Sequence, residues 1–360
     1  MSAGRRLLRL GLLLVALALA AAAYVFQLLE HPRQPPAAAE VTVFFPYGTS
    51  TSEIFRQLAA EGVLRSAWFA EAYYRLARSA TSLQAGEYGF ARPTPLSQVI
   101  DRMNRGDVVK HTIVVPEGLT AEETFELFWS RGISRPEAFR NAFKNPQLIA
   151  SIARDAPNLE GFLFPDTYAV TRSTSARRTL ETMLVNFRKH FTPELRERAR
   201  QTGLTLRETV TLASIVQLET ALPREAPIIA GVYVNRLRRG MRLQADPTVA
   251  YALKGDGQWN GTLYRSDYGH ESPFNTYLHE GLPPGPICNP GMAALKAAAV
   301  PAKTDFFYFV ADRAGGHTFS RTFEEHRDAI AAIHRLREDA SAPPPAPPSE
   351  SAPHGNGPGP

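Results

Sequence analysis

The sequence predicts an α+β protein that begins with a transmembrane helix, continues through a small α/β module and ends in a larger, mainly helical domain with long loops and a small sheet. Residues 10–29 are apolar, strand and helix patterns alternate over residues 41–115, and helical patterns dominate residues 175–238. We expect seven segments. These are a short N-terminal segment 1–9, an anchor 10–29, a linker 30–40, an α/β module 41–108, a strand–helix connecting unit 109–156, the largest domain 157–338 and a disordered Pro-rich tail 339–360.

The N-terminal apolar stretch is long enough to cross a bilayer. Twenty residues at about 1.5 Å per residue span about 30 Å, the thickness of the hydrocarbon layer. Arg5, Arg6 and Arg9 precede it, so the positive-inside rule places the N-terminus in the cytoplasm and the rest outside. A cleaved signal peptide is the alternative, because residues 18–23 offer small side chains, although the apolar region of a signal peptide is usually shorter.

The composition restricts the kind of chemistry that the chain can perform. A net charge of +5 suits an anionic partner, but no Lys/Arg run is long enough for a nucleic-acid patch, so no nucleic-acid partner is expected. The single cysteine, Cys288, excludes an internal disulfide and a cysteine-based metal cluster. Nucleotide loops and paired metal-ligand motifs are absent from the sequence, so we expect no metal and no cofactor.

The first module reads as strand, helix, helix, strand. Strand patterns occupy residues 41–45 and 85–90, a helix follows the N-cap residue Ser50, and further helices are predicted at 66–80 and 95–103. In the connecting unit, a strand at residues 110–115 precedes a turn, and Thr120 with Glu123 forms a capping box that opens a helix. The two strand–turn–helix stretches hint at a weak internal repeat.

Helices are predicted in the largest domain at 175–190, 193–202, 206–222, 227–238 and 323–338, with a strand at 306–310. Residues 240–301 are rich in Gly, Pro, Asn and Asp, and a long irregular stretch inside a compact domain is usually functional.

Glu219 is the best candidate for chemistry. It lies four residues after Ile215 and three after Val216, so it shares their apolar helix face, and burial there raises the pKa of a carboxyl group. A glycosidic oxygen needs such a protonated acid as it leaves. The alternative is a structural role, for example an ion pair with Arg224. Gln217 lies about 200° around the helix from Glu219 and should not share its site.

Polar residues on the following helix and loops suit a substrate-binding cleft, because amides bind sugar hydroxyl groups and aromatic rings stack on sugar faces. The predicted binding residues are Asn235, Gln244, Asp246, Thr248, Asn275 and Tyr277. Structural alternatives are an Asp-Pro turn with Thr248 capping the next helix, and proline-stiffened loops with turn-forming Asn residues. His317 could act as a general base, but a structural role fits it better.

The largest domain carries a series of distinctive short stretches, namely 160–168 (EGFLFPDTY), 213–219 (ASIVQLE), 235–237 (NRL), 241–248 (MRLQADPT), Tyr277 with 281–286 (GLPPGP), and 308–311 (YFVA) with 316–320 (GHTFS). By these stretches it resembles the YceG-like, MltG-type endolytic murein transglycosylases. The resemblance covers about residues 110–330, and residues 41–104 resemble the LysM-like module of the family. The family helix usually reads Ala-Ser-Ile-Val-Glu-Lys-Glu; its first Glu is Gln217 here, and its catalytic second Glu falls on Glu219.

The resemblance implies a lyase with residues 157–338 as its catalytic domain. Such enzymes cleave the β-1,4 bond between N-acetylmuramic acid and N-acetylglucosamine by attack of the muramyl C6 hydroxyl on C1, so one carboxyl group serves as acid and then as base. A water-using hydrolase normally needs a second carboxylate, for which Asp246, Asp267 and Glu280 are available. A non-catalytic glycan-binding scaffold is a third possibility.

The implied partners are peptidoglycan glycan strands, the membrane and wall-synthesis enzymes. An inner-membrane protein with its catalytic domain in the periplasm would meet nascent strands as they emerge, and termination of strand elongation is the expected role.

Overall fold

The computed structural model describes residues 3–30, 40–77, 82–312 and 315–341, and within these it contains thirteen helices and six strands. The helices are α1 (Ala3–Glu30), α2 (Thr51–Ala60), α3 (Ala67–Ala77), α4 (Leu96–Arg105), α5 (Ala121–Trp129), α6 (Pro136–Phe143), α7 (Ala176–His190), α8 (Pro193–Arg200), α9 (Leu206–Glu219), α10 (Ala226–Arg238), α11 (Asp246–Gly255), α12 (Met292–Ala299) and α13 (Phe323–Ser341). The strands are β1 (Val41–Phe45), β2 (Gly86–Phe90), β3 (His111–Val114), β4 (Thr167–Val170), β5 (Tyr308–Ala311) and β6 (His317–Ser320). This is the mixed, helix-rich architecture with small sheets that the sequence predicts.

Helix α1 carries the predicted anchor. Its segment Leu8–Gln27 has a mean hydropathy of 2.2 and is long and apolar enough to cross a membrane. The apolar side chains of this segment, such as Leu13 and Leu17, are exposed rather than packed into a core. An unpacked apolar helix of this length agrees with a membrane anchor. The predicted linker lies outside the described residues apart from its ends, and the predicted tail lies outside them beyond residue 341.

The first module has its own core. Strands β1 and β2 pair antiparallel, with Val41 opposite Phe90 and Phe45 opposite Gly86, and helices α2 and α3 lie between them in the chain. Ser50 caps α2 by accepting a hydrogen bond from Glu53 N, as predicted. The core is formed by side chains from all five elements of the module, including Phe45, Phe55, Leu58, Tyr74, Tyr88, Phe90 and Ile100. The predicted order of elements is confirmed.

A second, larger core extends through both remaining predicted units. Strand β3 pairs antiparallel with β4, and the buried side chains from Ile113 to Ala299 form one continuous cluster. The predicted capping box at Thr120 and Glu123 is present at the start of α5. Strand β4 was not predicted, because a four-residue strand gives only two alternations of burial. The domain boundaries themselves stay predictions.

Helix α9 runs through the centre of this core. Eight consecutive residues, 209–216, are buried, so the helix is covered on every side. It packs most extensively against α12, and also against α8, α10 and α11. Alanine side chains on α12 allow the close approach of these two helices.

Three sequence predictions need correction in this region. Helix α9 ends at Glu219 and not at residue 222, because Thr220 is extended and Pro223 disfavours helical geometry in the residue before it. Residues 240–301 are not irregular throughout, since they contain α11, α12 and a 3-10 helix at Arg265–Gly269. Thr248 does not cap a helix; it lies within the first turn of α11. Helix α11 begins at the pair Asp246-Pro247 and α12 begins just after the pair Asn289-Pro290, and such pairs are typical of turns and loops.

Candidate active site

Glu219 is the last residue of α9 and lines a cavity of about 340 Å³. Its Oε1 accepts a hydrogen bond of 2.8 Å from the hydroxyl of Tyr233, a buried residue of α10. The side chain is only partly exposed, and its exposed part faces this cavity. The helix thus delivers one carboxyl group from the core to the wall of a cleft.

The surroundings of Glu219 favour its protonated form. Burial raises the pKa of this carboxyl group to about 7, from an ordinary value of 4.5, and the negative charge of Asp246 raises it further. Its position at the negative end of the α9 dipole acts in the same direction. The Tyr233 hydrogen bond and the positive charge of Arg236 lower the pKa and keep it near neutrality. Near neutral pH this group can therefore both give and take a proton.

Arg236 is buried below the site and is held by backbone carbonyl groups. Its Nε donates to Phe307 O and its Nη1 donates to Leu243 O, at 2.6 and 2.7 Å.

Among the described residues no cation, Arg224 included, forms an ion pair with Glu219. The structural alternative that the sequence left open, a Glu219–Arg224 ion pair, is not formed.

Asp246 lines the same cavity and is held by two tyrosine hydroxyl groups. Tyr277 donates to its Oδ1 at 2.6 Å, and Tyr268 donates to its Oδ2 at 3.3 Å. The two rings pack together with centroids 4.6 Å apart. Partial burial and the neighbouring carboxylate raise the pKa of both tyrosines, so they remain hydrogen-bond donors. Two of the predicted binding residues, Asp246 and Tyr277, are thus brought together beside Glu219.

The remaining walls of the cavity are aromatic and apolar with a few polar groups. The other lining residues are Gly118, Thr120, Leu218, Pro247, Ala250, Tyr251, Lys254, Trp259, Leu263 and Ile287. Aromatic side chains with a small number of polar groups are typical of a small-molecule binding site.

Two contacts join the start of α5 to α11 across one side of the cavity. Lys254 forms an ion pair with Glu123 at 2.7 Å. The buried Glu160 accepts a hydrogen bond from Ala121 N at 2.9 Å and another from Tyr251 at 3.4 Å. Burial raises the pKa of Glu160 to about 8, so it is largely protonated at neutral pH. The connecting unit therefore contributes a wall to the cleft.

Three other predicted binding residues shape the loops around the cavity. Asn275 is buried, donates from Nδ2 to Tyr268 O and His270 O, and accepts from Tyr277 N. Thr248 is buried and donates to Ala245 O. Gln244 has a left-handed backbone (φ 48°), its N–H donates to Thr276 O, and its side chain is exposed. The first two hold the segments that carry Asp246, Tyr268 and Tyr277.

The sixth predicted binding residue, Asn235, is directed elsewhere. Its Nδ2 donates to Thr304 O and Phe306 O, and it lines a different cavity. Gln217 also has its own partner, because its Oε1 accepts from Gly291 N at 2.9 Å. This agrees with the expectation that Gln217 faces away from Glu219.

His317 and the two other candidate carboxylates lie outside the cavity lining. The Nδ1 of His317 is 2.8 Å from Glu225 Oε2, and its ring packs against Phe309 and Phe319, which fits the structural role. Asp267 accepts from Tyr264 N within its own turn, and Glu280 is exposed. Asp246 is therefore the carboxylate that shares the described cavity with Glu219.

Several residues of the site were not predicted from the sequence, among them Tyr233, Tyr251, Lys254, Trp259 and Tyr268. Tyr251, Lys254 and Trp259 line the cavity, whereas Tyr233 and Tyr268 reach it through hydrogen bonds to Glu219 and Asp246. Tyr233 had one indirect signal, because it lies two residues before Asn235 in a stretch already recognised as a motif.

The fold and the site together define a helix-rich protein with an apolar N-terminal helix and one buried acid carboxyl group in an aromatic cleft, an arrangement that suits single-carboxylate acid–base chemistry. The chain belongs to the YceG-like family, whose family model matches residues 43–332.

Known proteins support this assignment. The endolytic murein transglycosylase of Bacillus subtilis strain 168 is 30% identical over 322 residues, which are 85% of this chain and 88% of that protein. The protein of the same name from Streptococcus pneumoniae strain D39 is 29% identical, and the match spans 82% of this chain but only 58% of the pneumococcal protein. The crystal structure of a yceG-like protein from Listeria monocytogenes has a TM-score of 0.54 and 29% identity, covering 81% of this chain and 99% of that one.

Proposed function

We propose that this protein is an endolytic lytic transglycosylase that cleaves the β-1,4 bond between N-acetylmuramic acid and N-acetylglucosamine in peptidoglycan strands. The observation that carries the proposal is the Glu219 carboxyl group, whose pKa of about 7 and position in an aromatic cleft suit proton transfer to a glycosidic oxygen. The names of the Bacillus and Streptococcus relatives support the same reaction.

In the proposed mechanism Glu219 acts first as the acid and then as the base. It donates a proton to the glycosidic oxygen as the bond from that oxygen to muramyl C1 breaks. The muramyl C6 hydroxyl oxygen forms a new bond to C1, and its proton passes to the Glu219 carboxylate. No water is consumed, a 1,6-anhydro end is produced, and the acid is regenerated. A group with a pKa near neutrality performs both transfers with little cost.

Other residues of the cleft would position the reacting groups. Tyr233 holds one oxygen of Glu219 and leaves the other free for substrate. Asp246, with its two tyrosines, presents a polar face to the sugar hydroxyl and acetamido groups. Trp259 and Tyr251 provide apolar surface for the sugar rings. Gln244, Thr248, Asn275 and Asn235 remain predicted binding residues, although the hydrogen bonds of the last three support the loops.

A muramidase-type hydrolase is the second candidate, because Asp246 lines the cavity together with Glu219. In that mechanism Asp246 would activate water or attack C1 directly. Both of its oxygens already accept hydrogen bonds from tyrosines, so it could bind a water or attack C1 only by giving up one of these contacts. This favours the lyase.

Product analysis by mass spectrometry on uncrosslinked glycan tests the proposal. The wild-type chain in detergent should yield 1,6-anhydro ends, Glu219→Gln should yield no product, and the exposed-site control Glu280→Gln should cleave normally. Reducing ends from the wild type would support the hydrolase instead. Glycan binding without cleavage by the wild type would support the scaffold.

We also infer that residues 41–108 form a LysM-like glycan-binding module. The support is the order strand, helix, helix, strand with antiparallel pairing of β1 and β2, and the 99% exposed Tyr47 in the loop after β1. In the full chain carrying Glu219→Gln, Tyr47→Ala should reduce co-sedimentation with insoluble glycan. Unchanged co-sedimentation would contradict the inference.

The proposed location is the inner membrane, with the N-terminus in the cytoplasm and the catalytic domain in the periplasm. The support is α1 together with Arg5, Arg6 and Arg9 on its N-terminal side. Periplasmic reporters fused to the C-terminus should be active, and activity of a cytoplasmic reporter there would contradict this orientation. From this position the enzyme would cut strands as wall-synthesis enzymes release them, and so terminate elongation.

A further inference from the structure

A second cavity, of about 950 Å³, lies between α8, α10 and the segment that follows α12. It shares no lining residue with the cavity beside Glu219. Its lining is mostly polar and includes Asn235, a predicted binding residue that lies outside the cavity beside Glu219. Its volume is within the usual range of ligand-binding cavities.

The wall of this cavity formed by residues 299–305 is firmly attached to α10. Ala302 N donates to Pro227 O at 2.9 Å, and Asn235 Nδ2 donates to Thr304 O and Phe306 O at 2.8 and 3.0 Å. Gly231 permits this close approach, because a Cβ at that position would lie 2.5 Å from Ala302 O. The cavity is thus preformed by backbone contacts, and Asn235 is one of the residues that build it.

Three cations line the cavity without a neutralising partner. Arg198, Arg238 and Lys303 are exposed, and in the part of the chain that the structure describes none of them forms an ion pair. The single lining acid, Asp305, is paired with Arg321. A neighbouring cavity of about 780 Å³ shares Arg198 and adds further cations, Lys189 and Lys296, against one acid, Glu194. The surface is therefore electropositive and concave.

We propose that this cavity binds the carboxylate groups of the peptide stems carried by the glycan strand. The inference rests on the proposed function, which makes a peptide-bearing glycan the substrate. Two arginines suit carboxylates because each guanidinium group donates a pair of parallel hydrogen bonds to the two carboxylate oxygens. A preformed hollow favours a short peptide over a flat membrane surface, which would meet protruding cations first. The site would select strands whose stems retain their free carboxylates.

Binding of a soluble stem tetrapeptide to the full chain in detergent tests the site. The measurement uses Glu219→Gln as the parent, so that cleavage cannot interfere, with isothermal titration calorimetry as the readout. Arg198→Gln with Arg238→Gln should raise the Kd about tenfold or more, which corresponds to a loss of about 1.4 kcal/mol of binding free energy. The matched control is Arg177→Gln with Arg200→Gln, which removes two exposed arginines that form ion pairs outside the cavity and should leave the Kd unchanged.

Each outcome of this experiment decides for or against the site. A tetrapeptide with amidated carboxyl groups should fail to bind, and equal binding of that peptide would overturn the proposal. An unchanged Kd in the Arg198/Arg238 variant would also overturn it, as would equally effective displacement by inorganic phosphate at the same concentration. If the peptide does not bind but the wild type cuts glycan, only this inference fails. If the peptide binds but the wild type cuts nothing, only the proposed function fails.

Discussion

Replacing Tyr233 with Phe tests which interactions set the pKa of Glu219 near 7. The substitution removes one hydroxyl group, the donor of the 2.8 Å hydrogen bond to Glu219 Oε1, and keeps the ring that packs in the core. That hydrogen bond favours the ionised carboxyl group, so its loss should raise the pKa of Glu219 above its value of about 7.

The size of the shift follows from the strength of the bond. A hydrogen bond to a charged group contributes about 1.5–3 kcal/mol, and one pKa unit corresponds to about 1.4 kcal/mol. Because Glu219 retains some contact with solvent, we expect a rise of about one unit. The carboxyl group also loses its orientation, which should lower the maximal rate roughly tenfold.

The assay is the pH dependence of kcat/KM for glycan cleavage between about pH 5 and pH 9.5. In Tyr233→Phe the limb that reports Glu219 should move to higher pH by about one unit. Tyr168→Phe is the control, because its hydroxyl donates to Phe164 O at 2.6 Å and has no contact with Glu219; it should lower stability without moving the limb. A limb that stays in place in Tyr233→Phe, or moves to lower pH, would refute the electrostatic account of the site.

Three further predictions concern the same cleft. Asp246→Asn removes a negative charge that raises the pKa of Glu219. The limb of the kcat/KM pH profile that reports Glu219 should therefore move to lower pH by less than one unit, in the direction opposite to Tyr233→Phe. The control Asp267→Asn lies outside the cavity lining and should not move the limb, and a shift to higher pH in Asp246→Asn would contradict this assignment. Between pH 4.5 and about 7 the folded state holds a proton on Glu219 that the unfolded state has lost, so stability falls as pH rises through this window. Urea denaturation should therefore show Glu219→Gln more stable than wild type at pH 8 by about 1–3 kcal/mol and similar at pH 4, whereas an equal difference at both pH values would exclude a raised pKa. Trp259→Leu should raise KM about fivefold or more with kcat nearly unchanged, because stacking on the ring contributes roughly 1 kcal/mol to binding; a selective fall in kcat would contradict a pure binding role.

Local sequence signals predicted most of the elements. Ser50 and Thr120 cap their helices as the sequence indicates, because a cap depends only on residues within four positions of each other. The end of α9 and the existence of α12 were missed. Their geometry depends on an extended Thr220 and on packing between helices that are distant in sequence.

The residues of the candidate site also fall into those that local sequence could reveal and those that only tertiary packing could reveal. Glu219 could be selected because its helical position relative to Ile215 and Val216 indicates burial. Tyr233 could not, since a buried tyrosine in an apolar helix looks the same whether or not its hydroxyl meets a carboxyl group fourteen residues away. Asn235 shows the opposite limit, because its motif suggested substrate binding, whereas its amide hydrogens are occupied by Thr304 O and Phe306 O.

In the proposed reaction the C6 hydroxyl of the substrate, and not water, attacks C1 while Glu219 transfers the protons. Digestion of uncrosslinked glycan in ¹⁸O-labelled water, followed at once by mass spectrometry, tests this most directly. New muramyl ends should carry no ¹⁸O and be lighter than reducing ends by one water, and Glu219→Gln should produce no new ends at all. New ends that contain ¹⁸O, or cleavage by Glu219→Gln at the wild-type rate, would contradict it.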